Sequence, residues 1–75
     1  MHRLAPTEVA VLDVLRSAHP RVVSRRELVR EAGLSHYSPR RADAIVARLR
    51  QRLGPGSIRT VRGRGWALVV DDAPG

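Results

Sequence analysis

Ile58-Arg-Thr-Val-Arg-Gly-Arg-Gly-Trp-Ala-Leu68 is a glycine-punctuated stretch tipped with arginine, and it follows closely on an arginine-studded segment that ends at Leu53. Its β-branched and aromatic residues predict two strands, 58–61 and 66–70, joined through Gly63 and Gly65. The segment before it, 39–53, predicts a helix: Ser38-Pro39 places a cap and a first-turn proline, and Gly54 a stop. On that helix Ala42, Val46, Leu49 and Leu53 form an apolar stripe at helical spacing, while Arg40, Arg41, Ala44, Ala47, Arg48 and Gln51 fall on the other side. Small residues mixed with long cationic ones suit a helix whose backbone must approach another surface closely. A merely solvated face more often mixes acids with bases.

Two more helices precede this unit. Residues 4–18 carry Val9, Val11, Leu12, Val14, Leu15 and Ala18 at helical spacing, with Pro6 in the first turn and Glu8 near the positive end. Ala5 at the cap position makes a weak start. His19-Pro20 ends this helix, and Val22-Val23 suits a short extended piece. Ser24-Arg-Arg-Glu27 then reads as a capping box opening a second helix, which Gly33 terminates ahead of a short loop, 34–37. The order predicts a mainly α fold with a small β-hairpin: three helices and a two-stranded wing, a winged helix-turn-helix. One domain is expected over 1–75, with a structured core of about 4–70 and a frayed tail at 71–75.

Composition narrows the function classes. The chain has 75 residues and a formal charge of +7, a balance that commonly accompanies nucleic acid or an acidic surface. Between Ala44 and Val70 stand six arginines (48, 50, 52, 59, 62 and 64) and no carboxylate, which predicts a continuous positive field toward a polyanion. All 14 Lys and Arg residues are arginine. The guanidinium fork suits phosphate and guanine, although arginine-rich codon usage accounts for the bias equally well. Absent cysteine excludes disulfides and cysteine-ligated metal. Apolar runs fall far short of the roughly 20 residues a membrane helix needs, and no signal-like segment follows Met1, so a cytoplasmic chain is expected. His2, His19 and His36 show neither metal-ligand spacing nor a catalytic neighbour, so no enzyme activity, metal or cofactor is expected.

Four runs together carry a family resemblance: Leu4-Ala-Pro-Thr-Glu-Val, Val23-Ser-Arg-Arg-Glu-Leu, Arg40-Arg-Ala-Asp-Ala-Ile-Val-Ala-Arg-Leu-Arg-Gln-Arg-Leu and Ile58-Arg-Thr-Val-Arg-Gly-Arg-Gly-Trp. In that order and spacing they resemble the effector domain of OmpR/PhoB-type bacterial response regulators, from Leu4 to about Leu68. The resemblance implies duplex DNA as partner and a transcription-regulating role. It also implies phosphate contacts at Arg40 and Arg50, a base-reaching Arg48, and wing contacts at Thr60 and Arg62. Trp66 matches a position usually held by tyrosine at the base of the wing. The resemblance further implies head-to-tail pairs on direct repeats and contact of the 34–38 loop with RNA polymerase. The sequence departs from the family's pattern: the usual four-stranded sheet ahead of the first helix and the receiver domain have no counterpart in these residues, Ile45 and Ala47 replace frequent histidine and arginine, and Gly33 falls where tryptophan often closes the second helix.

The expectation is therefore a DNA reader, with helix 39–53 in the major groove and the wing, 58–70, at the adjacent minor groove. Its expected contacts are Arg40, Arg41, Ala44, Arg48, Arg50, Thr60, Arg62 and Arg64. A rival from another class is a winged-helix module that docks an acidic partner or a parent enzyme's domain without binding DNA, motivated by an uncovered surface expected near Leu4. RNA binding is disfavoured because only Trp66 and Tyr37 offer rings for base stacking.

Overall fold

A computed structural model describes residues 3–70; the expected frayed tail lies outside these residues. The element order is α1 (Pro6–Ala18), α2 (Arg25–Glu31), α3 (Arg40–Leu53), β1 (Ile58–Val61) and β2 (Gly65–Leu68). Three helices and an antiparallel hairpin thus make the winged helix-turn-helix that the sequence predicts.

α1 runs from Pro6 rather than Leu4, with Ala5 at the cap position as expected. Alanine offers no oxygen to the first-turn amides, but Glu8 reaches back and accepts the Ala5 N–H at 2.8 Å. Half a capping box therefore replaces a capping side chain. α2 shows the opposite half. The Ser24 hydroxyl accepts the Glu27 N–H at 3.0 Å, whereas the Glu27 carboxylate turns away to fork with Arg21 at 3.0 and 2.9 Å. The expected reciprocal box at Ser24 is thus corrected to a single cap, because a bidentate guanidinium outcompetes one backbone amide. Arg21 holds the Glu27 carboxyl below its ordinary range through that hydrogen bond. Ser24→Ala should destabilise the chain by about 1 kcal/mol, read as a lower denaturant midpoint at unchanged slope.

α3 ends at Leu53 ahead of Gly54 as expected, but differs in its N-cap and in the extent of its buried stripe. Pro39, not Ser38, occupies the cap position and makes no side-chain cap; Ser38 contributes only its carbonyl, which accepts the Arg41 N–H at 2.9 Å. The buried stripe is Ala42, Ile45, Val46 and Leu49, following i, i+3, i+4 and i+7. Leu53, expected inside, is 45% exposed, and Ile45 is only 3% exposed. The reason is positional: Leu53 is the last helical residue, one turn beyond Leu49, the last α3 residue in the core cluster.

That cluster joins Val11 and Leu15 of α1, Leu28 of α2, Leu34, the α3 stripe, and Ile58 and Trp66 of the wing. The hairpin pairs Ile58 with Leu68 and Thr60 with Trp66. β2 ends at Leu68, two residues short of the expected end, leaving Val69 and Val70 exposed. A third backbone segment joins it. Val23 N–H donates to the Trp66 carbonyl at 2.7 Å, and Trp66 N–H to the Val23 carbonyl at 2.9 Å. The extended piece expected at Val22-Val23 is therefore the stitch between the wing and the entry to α2. Leu4 is partly buried against the core, and among the described residues the exposed large apolar side chains are Val9, Tyr37, Leu53, Val69 and Val70. Val9, in the first turns of α1, is the exposed large apolar side chain nearest in sequence to the surface expected at Leu4.

Candidate nucleic-acid interface

α3 separates its two faces cleanly. Arg40, Arg41, Ala44, Ala47, Arg48 and Gln51 are all exposed, opposite the buried stripe. Its 14 residues span about 21 Å, with a diameter of about 10–12 Å. Ala44 and Ala47 leave the centre of the exposed face low, and Arg40 and Arg48 flank them on the same side. Arg41 lies with its guanidinium 5.0 Å from the centre of the Tyr37 ring, which orders a long cation at the start of the helix. Ile45 belongs to the core, so its departure from the family's frequent histidine falls on the inward face.

The wing presents its own cations. The three-residue loop Arg62-Gly63-Arg64 closes with Arg64 N–H donating to the Val61 carbonyl at 2.9 Å, and Gly63 takes φ +75° at its tip. Arg59, Thr60, Arg62 and Arg64 are exposed. Arg50 spans the gap between helix and wing: its Nε donates to the Ile58 carbonyl at 2.9 Å, and its Nη2 to the Thr60 hydroxyl. Two of the expected contact residues, Arg50 and Thr60, therefore engage each other, and only Nη1 of Arg50 makes no hydrogen bond to the described residues.

The positive field is less continuous than the charge count implies. Arg52 pairs with Glu8 at 3.2 Å, and Glu8 is only 1% exposed, so the far end of α3 is neutralised from α1. Asp43, in the first turn of α3, is paired too, by Arg25 at 3.0 Å. Among the described residues no carboxylate lies within ion-pair distance of Arg40, Arg41, Arg48, Arg59, Arg62 or Arg64. On α3 and the wing, these six guanidiniums form the available cationic surface.

Sequence reasoning passes over Arg25. Its Nε and Nη2 both reach Asp43 Oδ1, at 3.1 and 3.0 Å, and Nη2 also reaches Oδ2 at 3.2 Å. Its guanidinium carbon stands 5.5 Å from the Trp66 ring centre. No local pattern could reveal it, because its partners lie 18 and 41 positions away in the chain. Among the described residues no group of three or more His, Asp or Glu could hold a metal, and no helix is long and apolar enough to cross a membrane.

Comparison with known proteins agrees with this geometry. The family model described as "Transcriptional regulatory protein, C terminal" matches residues 1–68. The chain is 43% identical over 72 residues to the phosphate regulon transcriptional regulatory protein PhoB of Rhizobium meliloti (strain 1021), covering 88% of this chain and 32% of that protein. It thus spans about a third of the length of that curated relative. Among solved structures, the DNA-binding domain of the response regulator AdeR in complex with an intercistronic region superposes with a TM-score of 0.80 at 26% identity, covering 91% of this chain and 74% of that one. The DNA-binding domain of Escherichia coli CadC gives 0.83 at 25% identity, covering 92% and 71%. The C-terminal domain of the nisin resistance regulator NsrR, a lantibiotic response regulator, gives 0.77 at 30% identity, covering 89% and 74%. The chain belongs to the family of C-terminal domains of transcriptional regulatory proteins, and its fold is the OmpR/PhoB-type winged helix-turn-helix.

Proposed function

We propose that this chain binds duplex DNA sequence-specifically as the effector module of a transcription regulator. α3 enters the major groove, which is about 12 Å wide and admits one helix. Arg48 reaches base edges there. Arg40 and Arg41 meet phosphates at the helix start, and Ala44 lets the helix backbone sit close. Thr60, Arg62 and Arg64 lie along the adjacent minor groove, whose negative potential favours inserted arginine. Arg50 offers its remaining Nη1 to the backbone. The observation that carries this reading is the two-faced α3: four buried apolar residues on one side, and small or cationic exposed residues without acidic partners on the other.

Loop residues Ser35, His36, Tyr37 and Ser38 are exposed, and this is the surface we assign to RNA polymerase. Two copies would align head to tail on direct repeats. The setting is cytoplasmic, where the chromosome is accessible. The test is titration of the full chain with random-sequence duplex at several salt concentrations. With about five phosphates neutralised, log affinity should fall against log salt with a slope near −4 to −5. Binding indifferent to salt, or absent for any duplex, would overturn the reading and favour a module that docks an acidic protein.

A further inference from the structure

The recognition helix and the wing touch different grooves, so affinity depends on how firmly their relative position is held. Two arginines tie them together. At the C-terminal part of α3, Arg50 reaches the Ile58 carbonyl and the Thr60 hydroxyl of β1. At the N-terminal turn, Arg25 at the start of α2 forks onto Asp43 of α3 and lies over Trp66 of β2. Thr60 and Trp66 are cross-strand partners, so the two ties converge on one rung of the hairpin from opposite ends of the helix.

We propose that Arg25 is a positioning residue that sets the separation between recognition helix and wing, with Arg50 as its counterpart, so that both grooves can be engaged in register. This rests on the DNA-binding reading above. A planar guanidinium suits the task because one edge can fork to a carboxylate while its face lies on a ring. Asp43 is the informative partner. A carboxylate on the DNA-facing helix repels phosphate, so its presence there costs electrostatic attraction unless it does something else, and holding Arg25 is what it does.

The test uses the full chain as wild type, Arg25→Ala, Arg25→Lys and Asp43→Asn. Each is titrated with a duplex selected from a random pool and with mixed-sequence duplex across a salt series, and minor-groove hydroxyl-radical footprints are recorded. Arg25→Ala should weaken the selected duplex roughly fivefold, a scale set by one exposed ion pair plus one cation–π contact. Mixed-sequence binding and the salt slope should stay nearly constant, and wing protection should shift or spread along the duplex rather than disappear. Lysine should not rescue, since it can neither fork nor lie flat. Asp43→Asn should reproduce the loss even though it removes a negative charge.

If Arg25→Ala instead lowers the salt slope by about 0.9 and weakens all duplexes alike, Arg25 is a phosphate contact and the proposal fails. It fails equally if Asp43→Asn tightens binding to the selected duplex, and that variant decides the matter should Arg25→Ala not fold. Trp66 emission in the DNA-free protein gives an independent readout: no change on removing Arg25 would refute the contact. A wild-type chain that binds no duplex would overturn the DNA reading itself, a result distinct from any difference among variants.

Discussion

Gly65→Ala is expected to destabilise the chain by about 3 kcal/mol or more, a large share of the stability available to a small domain. Gly65 has φ +144°, a conformation that side-chain-bearing residues rarely adopt. Space is short as well. A Cβ there would run into the Val23 carbonyl oxygen and come within 2.7 Å of the Val23 carbonyl carbon and 2.8 Å of Ser24 Cα. These are backbone atoms, held by the paired Val23–Trp66 hydrogen bonds, so the clash is relieved only by breaking the stitch between the wing and the entry to α2. Gly63 supplies the control. It also has positive φ, but nothing lies within 4 Å of its added Cβ, so Gly63→Ala should cost only about 1–2 kcal/mol of backbone strain. Thermal unfolding followed by Trp66 fluorescence separates the two. Equal shifts for both substitutions would mean that close approach, the feature unique to Gly65, contributes nothing.

The contrast between these glycines also marks where sequence reading stops. Gly-x-Gly between two β-branched runs announces a hairpin, yet nothing local distinguishes the glycine that turns the chain from the glycine that admits a neighbouring strand. The helices are legible for a similar reason: periodicity is a property of one segment, and Ala42, Val46 and Leu49 declare a buried face without knowledge of what covers them. How far that cover extends is a tertiary matter, so the pattern alone places Leu53 inside and passes over Ile45. Side-chain partners are the least legible. With 14 arginines and no lysine, every guanidinium looks alike in the sequence. Only the fold separates Arg25, Arg50 and Arg52, which are committed to Asp43, the wing and Glu8, from Arg40, Arg48, Arg62 and Arg64, which are not. Glu8 shows the same limit. Read as a helix-start acid, it is buried, with Oε1 serving Ala5 and Arg52 while Oε2 has no hydrogen-bond partner among the described residues.

Arg48→Ala should cost about 1–3 kcal/mol on the preferred duplex if its fork reads guanine O6 and N7, and it should flatten the preference at one base position. Three observations place the weight on this residue. It lies on the exposed face of α3, on the same side as the low surface made by Ala44 and Ala47. It is eight residues from Arg40, so phosphate contact at the helix start and base contact further along fall on one stripe. No acid among the described residues competes for it. Arg40→Ala is the comparison: if Arg40 grips phosphate as proposed, removing it should weaken every duplex alike and reduce the salt slope by about 0.9. Affinities for single-base variants of a selected duplex, at one fixed salt concentration, distinguish the two patterns. If Arg48→Ala lowers all affinities in parallel and leaves base preference intact, Arg48 serves the backbone, and reading must pass to other groups on the same face, Gln51 first among them.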